Sequence, residues 1–131
     1  AGSGLVGIAA AKAGAASVLC ADIDAFCETA IRLNAAANGV TLAFTAVDPI
    51  GTDDGWEVLL AGDVFYEKPF AERLWPWLQA LRARGAAVLV GDPGRAYLPK
   101  HGLAPLATYQ VPVTRALEDA EVKRTTVWEL T

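Results

Sequence analysis

The sequence lacks several residue types on which common catalytic and metal sites depend. Its 131 residues include no methionine, one histidine (His101) and two cysteines, Cys20 and Cys27. No CxxC pair and no GxSxG turn occurs, so we expect neither a zinc site nor a serine-histidine-aspartate triad, and we predict no metal. Two cysteines are too few for a small secreted disulfide scaffold. We therefore interpret both as reduced, buried thiols of a cytoplasmic protein.

Basic residues are also scarce. Lysine and arginine total 11 against 15 aspartates and glutamates, which gives a net charge of −4 and a pI near 4.9. Binding nucleic acid or an anionic membrane surface requires a basic face, so we predict neither as a partner. The first 21 residues carry a single charge, Lys12, but glycines at positions 2, 4, 7 and 14 interrupt them. This pattern argues against a membrane span.

Apolar residues, by contrast, make up 53% of the chain, which is enough for one core and a single domain over residues 1–131. Short apolar runs alternate with helical patterns. The predicted strands are 17–21, 41–46, 57–61 and 86–90, and the predicted helices are 8–13, 25–37 and 69–84. Two late strands, 107–113 and 125–130, are joined too closely for a helical crossover and predict an antiparallel pair. The order indicates an α/β fold with a Rossmann-like, doubly wound, mostly parallel sheet.

Two helices carry more specific expectations. The apolar face of helix 25–37 is expected to comprise Phe26, Ala30, Leu33 and Ala37. In helix 69–84, Pro76 predicts a kink or the start of a second segment.

A glycine-rich turn opens the chain, with Gly2, Gly4 and Gly7 in GxGxxG spacing. Such glycines allow a tight turn and close approach of the backbone to a ligand, and the helix start that follows offers free N–H groups. The turn suits a pyrophosphate or the carboxylate of an amino-acid-like ligand, although an ordinary glycine turn looks the same. Because a strand normally precedes this turn, we expect the chain to be a fragment without its N-terminal strand.

Carboxylates follow the next two predicted strands. Asp22 lies where an acid accepts hydrogen bonds from ribose hydroxyls, and Ile23 would then lie against an adenine. The alternatives are a helix cap, for which Asp24 is better placed, and a core position for Ile23. Asp48 could reach the adenine amino group or serve as a turn residue before Pro49. Together with the glycine turn, these residues predict an adenosine-containing ligand.

A cluster of acids and aromatic rings follows the third predicted strand, where ligands bind in doubly wound sheets. Asp63, Phe65, Tyr66 and Glu67 can together hold a positively charged amine, through the carboxylates and through cation–π contact. Alternatively, the two rings cap the core and Asp63 caps a helix. We favour the amine site for Asp63 and Tyr66.

Together with the segments 91–95 (GDPGR) and 125–128 (TTVW), these motifs resemble the class I, seven-β-strand S-adenosylmethionine-dependent methyltransferases. Within that family the sequence most resembles the group of electron-transfer flavoprotein β-subunit lysine methyltransferases and predicted nicotinamide N-methylases, near the ribosomal protein L11 methyltransferase. The glycine turn is generic, whereas the combination of Asp-x-Phe-Tyr with Gly-Asp-Pro-Gly-Arg is much more specific.

The resemblance implies that S-adenosyl-L-methionine is the cofactor. Gly2, Ser3 and Gly4 would bind its methionine part, and Asp22 would hold the ribose with Ile23 beside the adenine. It also implies that Asp63 and Tyr66 lie at the methyl-transfer site, and that the acceptor is a lysine of a protein, such as the electron-transfer flavoprotein β-subunit. The acid and first glycine that the family carries before the turn are absent here. Within the segment 91–95 a plain turn is the favoured interpretation, although Asp92 and Arg95 could shape a substrate pocket.

Three alternatives remain open from the sequence. A small-molecule N-methyltransferase, for nicotinamide or a similar amine, would use the same fold. An NAD-dependent oxidoreductase would share the glycine turn and Asp22 but would leave the Asp-x-Phe-Tyr segment unexplained. A non-catalytic binding module is the third alternative.

Overall fold

The computed structural model describes residues 1–112 and 122–131, which divide into two compact units, Ala1–Pro49 and Ile50–Thr131. Each unit has its own sheet. The single domain expected over residues 1–131 stays a prediction. Position 113, the last of the predicted strand 107–113, lies outside the described residues.

The first unit pairs two helices with a two-stranded parallel sheet. Its elements are α1 (Leu5–Lys12), β1 (Leu19–Ala21), α2 (Phe26–Ala37) and β2 (Ala43–Thr45). In the sheet, Leu19 lies opposite Ala43 and Ala21 lies opposite Thr45. All four elements were predicted, with α1 beginning earlier than expected. Because the strands are parallel, their carboxyl ends share one edge, where Asp22 and Asp48 follow.

The buried face of α2 differs from the prediction, which was wrong. Ile31 and Ala35 are the buried residues of this helix, whereas the predicted Phe26 and Leu33 are 87% and 66% exposed. The physical reason is the glycine turn. Ile31 packs against Gly4, where an added Cβ would lie 3.1 Å from Ile31 Cγ1, and this contact fixes which side of α2 faces inward.

The second unit contains a four-stranded mixed sheet with one helix. Its elements are β3 (Val58–Gly62), α3 (Lys68–Arg84), β4 (Ala87–Asp92), β5 (Leu103–Pro112) and β6 (Val122–Leu130), with strand order β3-β4-β6-β5. β3 and β4 are parallel, whereas β6 runs antiparallel to both β4 and β5. The predicted late antiparallel pair is confirmed, and so is the α/β class with mostly parallel strands and an antiparallel finish.

The core of the second unit lies between α3 and the sheet. Leu74, Leu78 and Leu81 form the buried stripe of α3 at the spacing of one helix face, and they pack with Val88 and Val90 of β4. Of the two outcomes expected at Pro76, the start of a second segment is wrong, because α3 continues through it as one helix, and the kink stays a prediction. That proline is exposed, so the helix loses a hydrogen bond on its solvent side while the buried leucines hold the opposite face. In residues 1–112 and 122–131, no helix has both the length and the apolar character needed to cross a membrane.

Candidate functional site

The glycine turn leads directly into α1 and leaves the start of that helix open. Gly2 and Gly4 adopt φ of 53° and 88°, in the left-handed region where a side chain is strained. Gly4 is the N-cap residue, no side chain caps the helix there, and its first turn contains no acid. Backbone N–H groups at an uncapped helix start attract an anion or a carboxylate.

Asp22 is in direct contact with this turn. It follows β1, and its carboxylate Oδ2 accepts hydrogen bonds from the Gly2 N–H at 2.9 Å and from the Ala1 amino group at 2.7 Å. Oδ1 accepts from the Asp24 N–H at 3.0 Å. These hydrogen bonds, the one from the Ala1 amino group foremost, lower the pKa of Asp22 well below its ordinary value, so the carboxylate is ionised at neutral pH.

The other cofactor candidates lie in the same compact unit as Asp22. Ser3 is exposed, and its carbonyl oxygen accepts a hydrogen bond from Asn34 Nδ2 at 2.9 Å, which ties α2 to the turn. Ile23 is 79% exposed, so the structure does not support the core alternative and leaves an apolar side chain beside Asp22. Asp48 is half-buried and lies beyond the end of β2, at the same sheet edge. Its adenine contact stays a prediction.

Asp63 is the first residue after β3 and has an unusual backbone. Its φ is 51°, the only positive value among the described residues other than glycine. A non-glycine residue in this region costs about 1–3 kcal/mol and persists only where its surroundings hold it. Here the Asp63 N–H donates to the Gly91 carbonyl at 2.8 Å, which extends the β3–β4 pairing by one residue.

The Asp63 carboxylate forms a two-pronged ion pair with Arg95. Arg95 Nε lies 2.7 Å from Oδ1, and Arg95 Nη2 lies 2.8 Å from Oδ2. The arginine hydrogen bond is the main reason that the pKa of Asp63 is lowered, and the charge of Lys123 on β6 adds to it. Asp63 therefore acts as an ionised hydrogen-bond acceptor and is a poor proton acceptor at neutral pH.

Asp92 shapes the turn that carries Arg95. The side chain is 2% exposed, and its Oδ2 accepts from the N–H groups of Gly94 at 2.7 Å and Arg95 at 2.8 Å. Its other oxygen, Oδ1, is buried without a hydrogen-bond partner within the described ranges. A plain turn was the favoured interpretation of residues 91–95. In the structure residues 91 and 92 end β4, and only the residues after them leave the strand, where Arg95 reaches Asp63.

The rest of the predicted amine site divides between core and surface. Phe65 is fully buried and meets Trp75 edge-to-face at a centroid distance of 6.3 Å, so its packing supports the core alternative instead of contact with a substrate. Tyr66 is 57% exposed, and Glu67 is exposed at the N-cap position of α3. Since Glu67 occupies that position, Asp63 is not the cap of this helix.

The remaining expectations about metal and cysteine have mixed outcomes. No group of histidine, cysteine and acidic side chains suited to a metal ion occurs in the part of the chain that the structure describes. Both cysteines are free thiols, as predicted. Cys20 is buried, and burial raises the pKa of its thiol. Cys27 is only half-buried, so the prediction that both are buried was wrong for this residue, which lies near the exposed start of α2.

The site candidates thus form two groups, one in each compact unit. The turn, Asp22, Ile23 and Asp48 lie in the first unit, and the Asp63 segment lies in the second. Arg95 is the functional candidate to which the sequence analysis gave too little weight. It lies 32 positions after Asp63, and only the pairing of Gly62 with Gly91 brings the two strand ends together.

Sequence comparison links the chain to one group of proteins. The model of the ribosomal protein L11 methyltransferase (PrmA) family matches residues 1–61. The electron transfer flavoprotein beta subunit lysine methyltransferase of Xenopus laevis is 39% identical over 97% of the chain, and the human protein of that name is 31% identical over 97%. The chain spans about half the length of these curated relatives, 54% and 51% respectively. The resemblance to this methyltransferase group is confirmed.

Two solved structures with the same fold are named as methyltransferases. The ribosomal protein L11 methylase of Lactobacillus delbrueckii has a TM-score of 0.62 at 22% identity, covering 98% of this chain and 65% of that one. A candidate tRNA (m1A22) methyltransferase of Streptococcus pneumoniae, solved with S-adenosyl-L-methionine, has a TM-score of 0.59 at 13% identity, covering 98% and 62%. At these identities the likeness establishes the fold.

Proposed function

We propose that this protein, which shares the sequence motifs and fold of the class I S-adenosylmethionine-dependent methyltransferases, methylates lysine side chains of a protein substrate. The substrate proposed is the electron-transfer flavoprotein β-subunit or a similar protein, because the relatives with 31–39% identity are named for it. The methyl donor is S-adenosyl-L-methionine.

The residues of the first unit fit this methyl donor. The uncapped start of α1 suits the carboxylate of its methionine part, and the exposed Ile23 suits the flat face of adenine. Asp22 accepts the N–H groups of Gly2 and Asp24. A carboxylate has about four acceptor positions, so Asp22 can accept a ribose hydroxyl beside them.

The observation that carries the proposal is the Asp63 segment. An ionised carboxylate in a strained backbone position, with the exposed ring of Tyr66 nearby in sequence, suits an amine with its N–H groups. When bound, S-adenosylmethionine supplies an electrophilic methyl group on a positively charged sulfur. Asp63 accepts a hydrogen bond from an N–H of the amine and thereby directs the nitrogen lone pair of the amine toward the methyl group. Most of the rate enhancement therefore comes from positioning.

The alternatives account for fewer of these features. An NAD-dependent oxidoreductase uses a glycine turn and a ribose-binding acid, but it has no need for a carboxylate held at the end of β3. A small-molecule N-methyltransferase accounts for the same residues with a different acceptor. A non-catalytic binding module accounts for the turn alone.

Ligand binding by the complete protein tests the proposal. Calorimetric titration is expected to show binding of S-adenosylhomocysteine, the demethylated product, and no binding of NAD. Binding of NAD without S-adenosylhomocysteine would contradict the proposal and favour the oxidoreductase. Binding of S-adenosylhomocysteine without methyl transfer to any amine would favour the binding module.

A further inference from the structure

Several contacts hold the ion pair of Asp63 and Arg95 in place. Asp63 has a left-handed backbone, and the fork of Arg95 fixes the plane of its carboxylate through two hydrogen bonds. The buried Asp92 holds the turn that delivers the arginine.

A fixed carboxylate poses a chemical problem for amine methylation. A lysine side chain has an ordinary pKa of about 10.4, and only its neutral form has a lone pair that can attack a methyl group. An unpaired carboxylate within about 4–6 Å would favour the ammonium and raise that pKa further. The carboxylate that binds the substrate would then also suppress its reactivity.

We propose that Arg95 is a positioning residue of the methyl transfer, because it neutralises Asp63 and fixes its plane, so that the carboxylate accepts a hydrogen bond from a neutral amine without stabilising the ammonium. This inference rests on the proposed function. The charges that face the Asp63 carboxylate from the neighbouring elements agree with it, since Arg95 after β4 and Lys123 on β6 are both positive. The buried Asp92 side chain accepts the backbone N–H groups of Gly94 and Arg95.

The transfer itself balances without a further co-reactant. The substrate ammonium first releases one proton to water. The lone pair of the neutral amine then forms the new C–N bond while the electron pair of the methyl–sulfur bond passes to sulfur. The product amine carries the positive charge, and Asp63 remains a carboxylate throughout.

The pH profile of kcat tests this role, because it reports ionisations within the enzyme–substrate complex. In the complete protein, Arg95→Gln is expected to move the apparent pKa of kcat upward by about one unit, with a loss of about tenfold at neutral pH that is recovered at high pH. Arg95→Lys keeps the charge but loses the fork, so it should keep the pKa and lower kcat at every pH. The affinity for S-adenosylhomocysteine should be unchanged in both variants, which also reports that they are folded.

Arg84 offers a matched control. It forms the same kind of fork with Asp53, at 2.7 and 2.9 Å, at the end of α3 opposite to the Asp63 segment. Arg84→Gln should leave the pH profile of kcat unchanged. If the wild type transfers methyl groups and Arg95→Gln has the same pH profile of kcat as the wild type, this inference is overturned and the proposed function still holds. Failure of the wild-type protein to methylate any amine would overturn the proposed function and this inference with it.

Discussion

At the scale of single residues, Asp22 is the residue proposed to hold the adenosine part of the cofactor. Asp22→Ala removes the charged group proposed to accept the ribose hydroxyls, together with the hydrogen bond from the Gly2 N–H. We expect this change to cost about 2–4 kcal/mol of binding free energy, which is roughly 30- to 700-fold in the dissociation constant of S-adenosylhomocysteine.

Calorimetry on the complete protein measures that change. Glu28→Gln serves as the control, since it removes an acid that pairs with Arg32 on the exposed side of α2. The control should bind S-adenosylhomocysteine as the wild type does. Equal affinities of wild type and Asp22→Ala would remove Asp22 from the site.

Asp63 is expected to act on the transfer step and not on cofactor binding. Asp63→Asn keeps the shape of the side chain but loses the charge and the paired fork of Arg95. A charge-assisted hydrogen bond contributes about 1.5–3 kcal/mol, so kcat should fall by roughly 10- to 100-fold. Single-turnover methylation kinetics measure this, and a variant with the wild-type rate would show that Asp63 does not contact the reacting amine.

The residue scale also shows what the sequence could and could not predict. Asp22 and Asp63 were singled out because each follows the carboxyl end of a predicted strand, which is where ligands bind in doubly wound sheets. The pairing of Asp63 with Arg95 depends on strand register, which no local pattern encodes. Phe65 was misjudged for a related reason: an aromatic ring beside an acid looks the same in sequence whether it faces a ligand or, as here, Trp75.

At the scale of elements, the contact between α1 and β1 depends on Gly7. An added Cβ there would lie 2.6 Å from Cys20 Sγ. We expect Gly7→Ala to destabilise the protein by about 1–3 kcal/mol through overpacking. In a Cys20→Ala background the sulfur is gone, so the same change should be neutral or stabilising by up to about 1 kcal/mol, as alanine favours helix.

Denaturant unfolding of the four proteins in this cycle measures the coupling. Gly14→Ala is the control, since Gly14 has a φ of 106° but no atom within 4 Å of an added Cβ. Its cost comes from backbone strain and should be the same in both backgrounds. A Gly7→Ala cost that does not depend on Cys20 would refute the packing account of this contact.

The boundaries and types of the helices and strands were largely predictable from the sequence, whereas the buried side of α2 was not. The leucines of α3 were identified by their spacing, because one helix packs against one sheet. In α2 the competing apolar residues surround the helix, and the choice of Ile31 depends on its contact with Gly4 in a distant turn. The predicted interruption at Pro76 considered only the local steric effect of proline. Packing on the opposite face of α3 outweighs that effect.

At the scale of the whole molecule, two ion-paired aspartates are expected to make stability depend on acid pH. The pKa values of Asp53 and Asp63 are lowered in the folded state, chiefly by hydrogen bonds from Arg84 and Arg95 respectively. A depressed folded pKa contributes stability that is fully present above the unfolded value of 3.8 and is lost as pH falls through the folded value. We therefore expect the free energy of unfolding to fall below about pH 4.

Unfolding at a series of pH values measures this dependence. Asp63→Asn should be less stable than the wild type at neutral pH, and the two stability curves should converge in acid as the wild-type carboxylate becomes protonated. Parallel curves throughout the acid range would contradict the contribution of the ion pair between Asp63 and Arg95.

The alternation of strands and helices was sufficient to predict the α/β class and the antiparallel finish. It could not predict that the described residues divide into two compact units, with the cofactor candidates in one and the amine candidates in the other. The curated relatives are about twice as long as the chain, so the activity proposed here is that of the complete protein.

The most direct test of the account is a methyl-transfer assay on the complete protein. Purified protein is incubated with S-adenosylmethionine and either the electron-transfer flavoprotein β-subunit or nicotinamide, and the products are analysed by mass spectrometry. We expect methyl groups on lysine side chains of the β-subunit, formed roughly 10- to 100-fold more slowly by Asp63→Asn, and no methylated nicotinamide. Methylation of nicotinamide with an unmodified β-subunit would contradict the account.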